Sequence, residues 1–459
     1  MEKFFNKYTV IFLLVLSFAA GGYKSREETI IFNDELIVED ASYSMAKGGS
    51  LIIPTVNGGA YLAKPPLLYW LYAPLYQYFP PTAFLRRVWM IIFGILLTYF
   101  VFLLAKKWYG RQIAVYSTLF FVCSFPFVYF TKAANWDLVN AFFITLTIYF
   151  YNHKRLFVRY ILTFASLGIA VLNRSYLALI PLVVITVNET IGKRRYVKWK
   201  LLIFSILLFL LIILPWHIVA FRINPEEFIR QYIQLPFQYH FLARVAGDTV
   251  STPFFYFNIF FLFPPIIFIL AYWGHRFIAK KINLKSLFSP THIQLTAWIT
   301  GYAAILIFSV TRHEWYLLPL FPAVAIACGY CLVKIFRLTQ GSRAYNLYSM
   351  MAFVFLLSPL YALVRFPLPE AEIIQAVKFI EESSDKNSAF YVYKYDMVPL
   401  TTLYPPYMKG IIVNNSDFLE DTNGKKLIIV RTADLAELPS GNNKQIGFKG
   451  DLYSVVTYN

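Results

Sequence analysis

Apolar runs of roughly 15 to 22 residues recur along most of the chain, each bounded by a short basic or aromatic-rich segment. That length suits a helix crossing about 30 Å of hydrocarbon, and an open sheet cannot satisfy its backbone in lipid. The runs predict spans near 8–22, 86–105, 112–130, 137–151, 157–171, 174–189, 200–220, 254–272, 293–310, 316–336 and 346–364, about eleven helices. Beyond Pro369 the pattern changes. The segments AFYVY (389–393), KLIIV (426–430) and LYSVV (452–456) are rich in β-branched and aromatic residues and predict strands, while Glu370 to Glu382 predicts a helix. The expected architecture is an all-α polytopic membrane domain over 1–365, with an outer loop at 23–85, followed by a small soluble α/β domain over 366–459. The second domain carries no glycine motif that would cradle a phosphate, so a structural or acceptor-guiding role is expected of it. No internal repeat or low-complexity tract is apparent.

Composition agrees with the pattern. Of 459 residues, 58% are hydrophobic and 19% aromatic, and the mean hydropathy is +0.54, too apolar for a water-soluble domain of this length. The net charge of +17 would suit nucleic acid or another anionic partner, but its placement accounts for it differently. Lys3 and Lys7, then Lys106, Lys107 and Arg111, then Lys154, Arg155 and Arg159, then Lys193 to Lys200, then Arg276 to Lys285, then Lys334, Arg337 and Arg343 all fall on one side of the predicted helices. Cytoplasmic loops carry such an excess. The reading is therefore a multi-pass protein of the cytoplasmic (inner) membrane, amino terminus inside and carboxyl-terminal domain outside, with no nucleic-acid partner. The first run, with Ala19 to Gly22 behind it, also resembles a signal peptide, and a retained helix is expected. Cys123, Cys328 and Cys331 lie inside apolar runs and predict neither disulfides nor a thiolate metal site.

With topology assigned, the candidate chemistry converges on the outer face. Asp34 and Glu35 stand side by side there. A partly desolvated carboxylate could take a proton from an acceptor hydroxyl; equally, Asn33 or Asp34 could cap the following helix, with Glu35 complementing its dipole. Lys64 precedes two prolines in YLAKPPLLYWLY, which could hold its ammonium at a fixed depth for a lipid-borne phosphate, or it could snorkel to water. Asp137 stands at the outer start of one predicted span and Arg174 at another outer helix end. An ionisable group at mid-membrane costs roughly 2.5 to 3.5 kcal/mol and usually faces a cavity or a partner, although a first-turn acid and an interfacial arginine would look the same. His240 and Arg244 are spaced to share a helix face, where a guanidinium could grip phosphate bidentately or an amphipathic helix could rest on lipid. The turn RHEWY packs Arg312, His313, Glu314 and Tyr316 between two spans. No cofactor is expected. A divalent metal stays open only as an alternative, because His240 has no clustered partner at ligand spacing.

The acidic pair, an Asn-Gly at 57–58, KPPLLYW, an Asp opening the span at 137, PWHIVAF at 215–221 and YLLPLFPAVA at 316–325 together resemble the ArnT-like branch of the GT-C membrane glycosyltransferases, relatives of the protein O-mannosyltransferases. The resemblance covers roughly residues 8–365. It implies a polyprenyl-phosphate sugar donor, undecaprenyl phosphate in a bacterium, and an acceptor that is lipid A, another glycan or a protein. It also implies inverting displacement. By position, Asp34 would be the base with Glu35 beside it; Lys64, Arg244 and Tyr316 would meet the donor phosphate, a role extended here to Arg174. Asp137 would organise the pocket, a role extended to His240 and Arg312. Two departures stand out: Ala63 where aminoarabinose transferases carry Glu before KPP, and RHEWY where relatives carry a Ser-Lys type of sequence. The competing reading is a transporter or flippase of lipid-linked saccharide, which would place polar residues near mid-membrane in discontinuous helices.

Overall fold

The computed structural model describes residues 7–23, 25, 33–56, 58–192, 198–237, 265–279, 288–309, 313–364, 375–376, 379–380, 382–383, 389–393, 409–413, 426–438, 444–450 and 453–458. The chain divides into two compact units. One comprises Met1–Ser25, Leu62–Leu68 and Arg87–Phe366; the other comprises Arg26–Tyr61, Tyr69–Arg86 and Pro367–Asn459. In chain order the helices are α1 (Lys7–Gly22), α2 (Asn33–Ala46), α3 (Leu67–Tyr78), α4 (Ala83–Tyr109), α5 (Arg111–Val122), α6 (Phe125–Phe130), α7 (Trp136–Tyr151), α8 (Leu156–Arg174), α9 (Ile180–Ile191), α10 (Trp199–Ile223), α11 (Pro225–Phe228), α12 (Leu235–Phe237), α13 (Ile266–Ile278), α14 (Pro290–Phe308), α15 (Phe321–Thr339) and α16 (Arg343–Val364).

The first unit is helical. Among the described residues, Ala83–Tyr109, Leu156–Ile191, Trp199–Ile223, Pro290–Phe308 and Trp315–Thr339 are long and apolar enough to cross a membrane, and Tyr8–Gly22 and Ile266–Ile278 are shorter apolar helices. The helix α15 is almost wholly buried, whereas α10 leaves Ile203, Phe204, Leu207 and Leu211 exposed, an apolar face that only lipid solvates without cost. The run expected as one span at 112–130 is instead two helices. Ser124 has extended backbone and its side chain accepts from Phe127 N, capping α6, with Pro126 in the first turn; a serine cap followed by an early proline is a helix start, and it ends α5 at Val122. The runs expected at 157–171 and 174–189 are α8 and α9, joined through a 3-10 turn at Ser175–Leu179. Ser175 adopts φ 59°, the only non-glycine residue described with positive φ, and the chain changes direction there.

Small residues set a close helix contact between α5 and α15. A Cβ on Gly329 of α15 would lie 2.3 Å from Ser117 Oγ and 2.6 Å from Ser117 N of α5, so the two backbones meet where neither side chain intervenes, as is common between helices in lipid. Gly329→Ala is expected to destabilise the protein by about 1–3 kcal/mol through overpacking, seen as a lower Tm in detergent; an unchanged Tm would show that the helices can part without loss.

A buried polar network ties α7, α9 and α14. Asn188 Nδ2 donates to Tyr151 Oη at 2.7 Å, and Tyr151 donates to Glu189. Asn152 Nδ2 donates to Gln294 Oε1 at 2.6 Å, and Gln294 Nε2 reaches Asn152 Oδ1 at 3.2 Å and Asn188 Oδ1 at 3.3 Å. The amides spend donors on one another, on Tyr151 and on the Ile148 carbonyl, which is what makes such groups tolerable where water is scarce.

The second unit holds α2, a two-stranded hairpin of β1 (Thr55–Val56) and β2 (Gly59–Ala60), most of α3, and a five-stranded sheet. The sheet comprises β3 (Ala389–Tyr393), β4 (Lys409–Val413), β5 (Lys426–Arg431), β6 (Lys444–Lys449) and β7 (Tyr453–Tyr458) in the order β4-β3-β5-β7-β6. Strand β3 pairs in parallel with β4 and β5, and β7 pairs antiparallel with β5 and β6. Central β5 is buried on consecutive residues, Leu427 to Val430, the mark of a strand covered on both faces. Ile428, Val430, Leu438 and Val456 form a core on which Tyr391, Leu435 and Tyr458 pack. All three predicted strands are present. The sequence pattern missed β4, a short run containing Gly410, and β6, whose residues are mostly exposed. The helix expected at 370–382 lies partly outside the described residues; those described are helical, with Ala376 and Ile380 buried four residues apart on one face.

Candidate active site

The first unit's site is built on the start of α7. Asn135 has extended backbone, its Oδ1 accepts from Leu138 N at 2.8 Å, and its Nδ2 donates to Phe130 O and Ala133 O at 2.9 and 2.7 Å. One side chain thereby caps α7 and closes the preceding turn. Asp137 follows in the first turn, fully buried. Its Oδ2 lies 3.0 Å from Arg174 Nη2, with 3% and 0% of the arginine and aspartate side chains exposed. Arg174 is the last residue of α8, and the adjacent Asn173 Nδ2 donates to Trp136 O at 2.8 Å, so a charge pair and an amide bond lock the two helix ends together. The Arg174 guanidinium also stands 5.5 Å from the centre of the Tyr316 ring, within cation–π range.

Tyr316 belongs to the 3-10 turn Glu314–Leu320 that leads into α15. Its ring stands edge-on to His313 and Trp315, whose own rings stack in parallel at 4.3 Å. Lys64 Nζ is 5.9 Å from the centre of the Trp136 ring, and Pro65 and Pro66 after it are buried. The structure thus sets Lys64 against Trp136 and Asp137 against Arg174, which in turn faces Tyr316, a row joined at the start of α7 through the neighbouring residues Trp136 and Asp137. Arg174 enters the row already paired with Asp137, so its charge is compensated. Lys132, overlooked in the sequence, is also buried in the turn before α7, its Nζ 4.9 Å from the Tyr23 ring centre; a lysine inside FPFVYFTKAANWD was the available signal.

Asp34 and Glu35 lie in the second unit, in the first turn of α2. Successive helical residues point about 100° apart, and the two acids separate accordingly. Asp34 is half-buried and Glu35 fully buried. Arg86, at the start of α4, reaches Glu39 Oε2 at 3.0 Å and Glu35 Oε1 at 4.0 Å, and its carbonyl accepts from Tyr72 Oη. Glu35 and Glu39, one helical turn apart, therefore share one guanidinium inside the unit. The phenol of Tyr69, in the KPPLLYW motif, is held well above the ordinary tyrosine pKa by burial and by the nearby Tyr61 and Asp34, and so stays protonated beside Asp34. His240, Arg244 and Arg312 lie outside the described residues. Among the described residues no group of three or more His, Cys, Asp or Glu side chains is arranged to hold a metal ion.

Residues 38–226 match the dolichyl-phosphate-mannose-protein mannosyltransferase family. The structure is similar to that of ArnT from Cupriavidus metallidurans bound to undecaprenyl phosphate, with a TM-score of 0.72 and 14% sequence identity over 98% of this chain and 97% of that one. The chain has the GT-C fold. Its helices are those of a membrane protein of this fold, and the small carboxyl-terminal sheet accompanies them. The Archaeoglobus fulgidus oligosaccharyltransferase is similar more distantly, with a TM-score of 0.56 and 13% identity over 94% of this chain and 70% of that one. In sequence, an uncharacterized protein of Aquifex aeolicus (strain VF5) is 25% identical over 344 residues, 71% of this chain; the match spans 63% of the relative's length.

Proposed function

We propose that this GT-C protein is a polyprenyl-phosphate-dependent glycosyltransferase that moves a sugar onto a hydroxyl acceptor at the extracytoplasmic face of the membrane. The observation that carries the reading is the row Lys64, Trp136, Asp137, Arg174, Tyr316, on a fold shared with a protein seen with undecaprenyl phosphate bound. On this reading the acceptor oxygen attacks the anomeric carbon from the face opposite the phosphate. The bond from carbon to phosphate oxygen breaks, its electron pair stays on the phosphate, and the hydroxyl proton passes to the Asp34 carboxylate. The anomeric centre is inverted. The departing lipid phosphate is a fair leaving group, and fixed cations stabilise its charge without a nucleotide-sugar enzyme's metal. Lys64 and Tyr316 contact it, Arg174 paired with Asp137 fixes the tyrosine, and Arg244 is assigned to the phosphate from sequence. Glu35, held by Arg86, sets the start of α2. The domains are taken as 1–365 and 366–459, with the amino terminus in the cytoplasm and the carboxyl-terminal domain outside. Lipid A, another glycan or a protein can supply the acceptor.

The test is transfer from a panel of radiolabelled polyprenyl-phosphate sugars by the purified protein in detergent. Wild-type protein is expected to release free polyprenyl phosphate with one of them. Lys64→Ala is expected to raise the donor KM roughly 10- to 100-fold, the range for a lost charge-assisted hydrogen bond. No turnover by folded wild-type protein with any donor and a range of acceptors would overturn the reading in favour of a carrier of lipid-linked saccharide.

A further inference from the structure

Between α11 and α12 the backbone widens into a π-helical turn, Ile229–Gln234. Such turns are rare, cost hydrogen-bond geometry, and gather at functional sites. One side chain of this turn ties it to the stretch of the first unit that carries Lys64. Gln231 Oε1 accepts from Leu62 N at 2.6 Å, two residues before Lys64, and Gln231 Nε2 donates to Glu227, whose carboxylate also receives Arg230 Nε at 2.9 Å. The Glu227 carboxylate is held below its ordinary pKa by those bonds from Arg230 and Gln231, so it stays an acceptor and fixes which way the Gln231 amide points.

The next residue, Tyr232, bonds to α10. His217 Nδ1 lies 2.7 Å from Ile213 O and Nε2 lies 2.7 Å from Tyr232 Oη. The carbonyl can only accept, so in the neutral imidazole Nδ1 carries the hydrogen and Nε2 accepts from Tyr232. Burial raises the Tyr232 pKa to about 12, so the phenol keeps the proton that it donates.

We propose that Gln231 is a positioning residue that holds the stretch leading into Lys64, so that the π-turn, anchored to α10 through Tyr232 and His217, fixes Lys64 against the donor phosphate. The inference rests on the phosphate role given above to Lys64. Gln231 does not touch the lipid on this account; it acts through the backbone beside Lys64, and Tyr232 acts by holding the turn to α10.

The test is equilibrium binding of undecaprenyl phosphate and of undecaprenol, which lacks the phosphate, to the full-length protein in detergent, followed by tryptophan fluorescence. Gln231→Ala and Tyr232→Phe are each expected to weaken undecaprenyl phosphate roughly 3- to 10-fold, the worth of one hydrogen bond, and to leave undecaprenol within about twofold. The exchange Glu227→Gln/Gln231→Glu keeps an acceptor for Leu62 N and a hydrogen bond between positions 227 and 231, and should restore phosphate affinity; Gln231→Glu alone sets two carboxylates together and should not. Equal losses for both lipids would mean a merely structural role, and unchanged phosphate affinity would mean none; either overturns the proposal. Lys64→Ala run alongside separates the two levels. If Lys64→Ala weakens the phosphate lipid and Gln231→Ala does not, the positioning role alone falls. If Lys64→Ala changes nothing, or wild type does not bind, the phosphate role of Lys64 falls and this proposal falls with it.

Discussion

Asp34→Asn is expected to lower kcat roughly 10²- to 10⁴-fold, the range for removing a general base, with affinity for the polyprenyl-phosphate donor nearly unchanged. The asparagine keeps the size and much of the hydrogen bonding of the carboxylate, so α2 starts as before, but nothing takes the acceptor's proton. Glu35→Gln should behave differently. Glu35 is fully buried and faces Arg86, which also serves Glu39, so its loss should lower the unfolding temperature before it lowers kcat. Measuring kcat and Tm on both variants decides the matter. A full-speed Asp34→Asn enzyme removes the proposed base, and a slow but thermally normal Glu35→Gln enzyme moves that role one residue along the helix.

The second large effect concerns the Asp137–Arg174 pair. Both side chains are almost wholly withdrawn from solvent, so removing one leaves an uncompensated charge in an apolar setting. Arg174→Met is expected to cost about 3–5 kcal/mol of stability. The double variant Asp137→Leu/Arg174→Met, with no charge left to strand, should recover most of that while still losing transfer activity, since the guanidinium that faces Tyr316 is gone. Thermal unfolding of the three proteins in detergent, with transfer assayed in parallel, separates the ion pair's structural work from its catalytic work. Arg174→Met with an unchanged unfolding temperature would mean that the helix ends are held by Asn173 and its bond to Trp136 O alone.

How much of this was written locally in the sequence depends on the range of the interaction. Apolar period and length located the helices, and β-branched runs located β3, β5 and β7, because those signals lie within a single element. The division of 112–130 at Ser124 was also legible in principle, from Ser124 and Pro126, but the uninterrupted apolar composition outweighed it. The turn at Asn135 to Asp137 and the end of α8 at Arg174 were found as separate candidates; that they form one ion pair was not, since the pairing joins residues on different helices. The same holds for Arg86, which meets Glu39 from 47 positions away, and for Gln231, which reaches Leu62 across 169. Nothing in IRQYIQ marks a π-turn, because the widening follows from what its side chains reach rather than from their own propensities.

The amide network of α7, α9 and α14 has a consequence for how the chain is made. Gln294 lies 106 residues after Asn188 and 142 after Asn152. At the pace of ribosomal synthesis, about 5–20 residues per second, Asn188 emerges roughly 5 to 20 s before its partner exists. Until then α7 and α9 are joined in this network through Asn188, Tyr151 and Glu189 alone, and the pairing of Asn152 with Gln294 that closes the network forms only once α14 has been made.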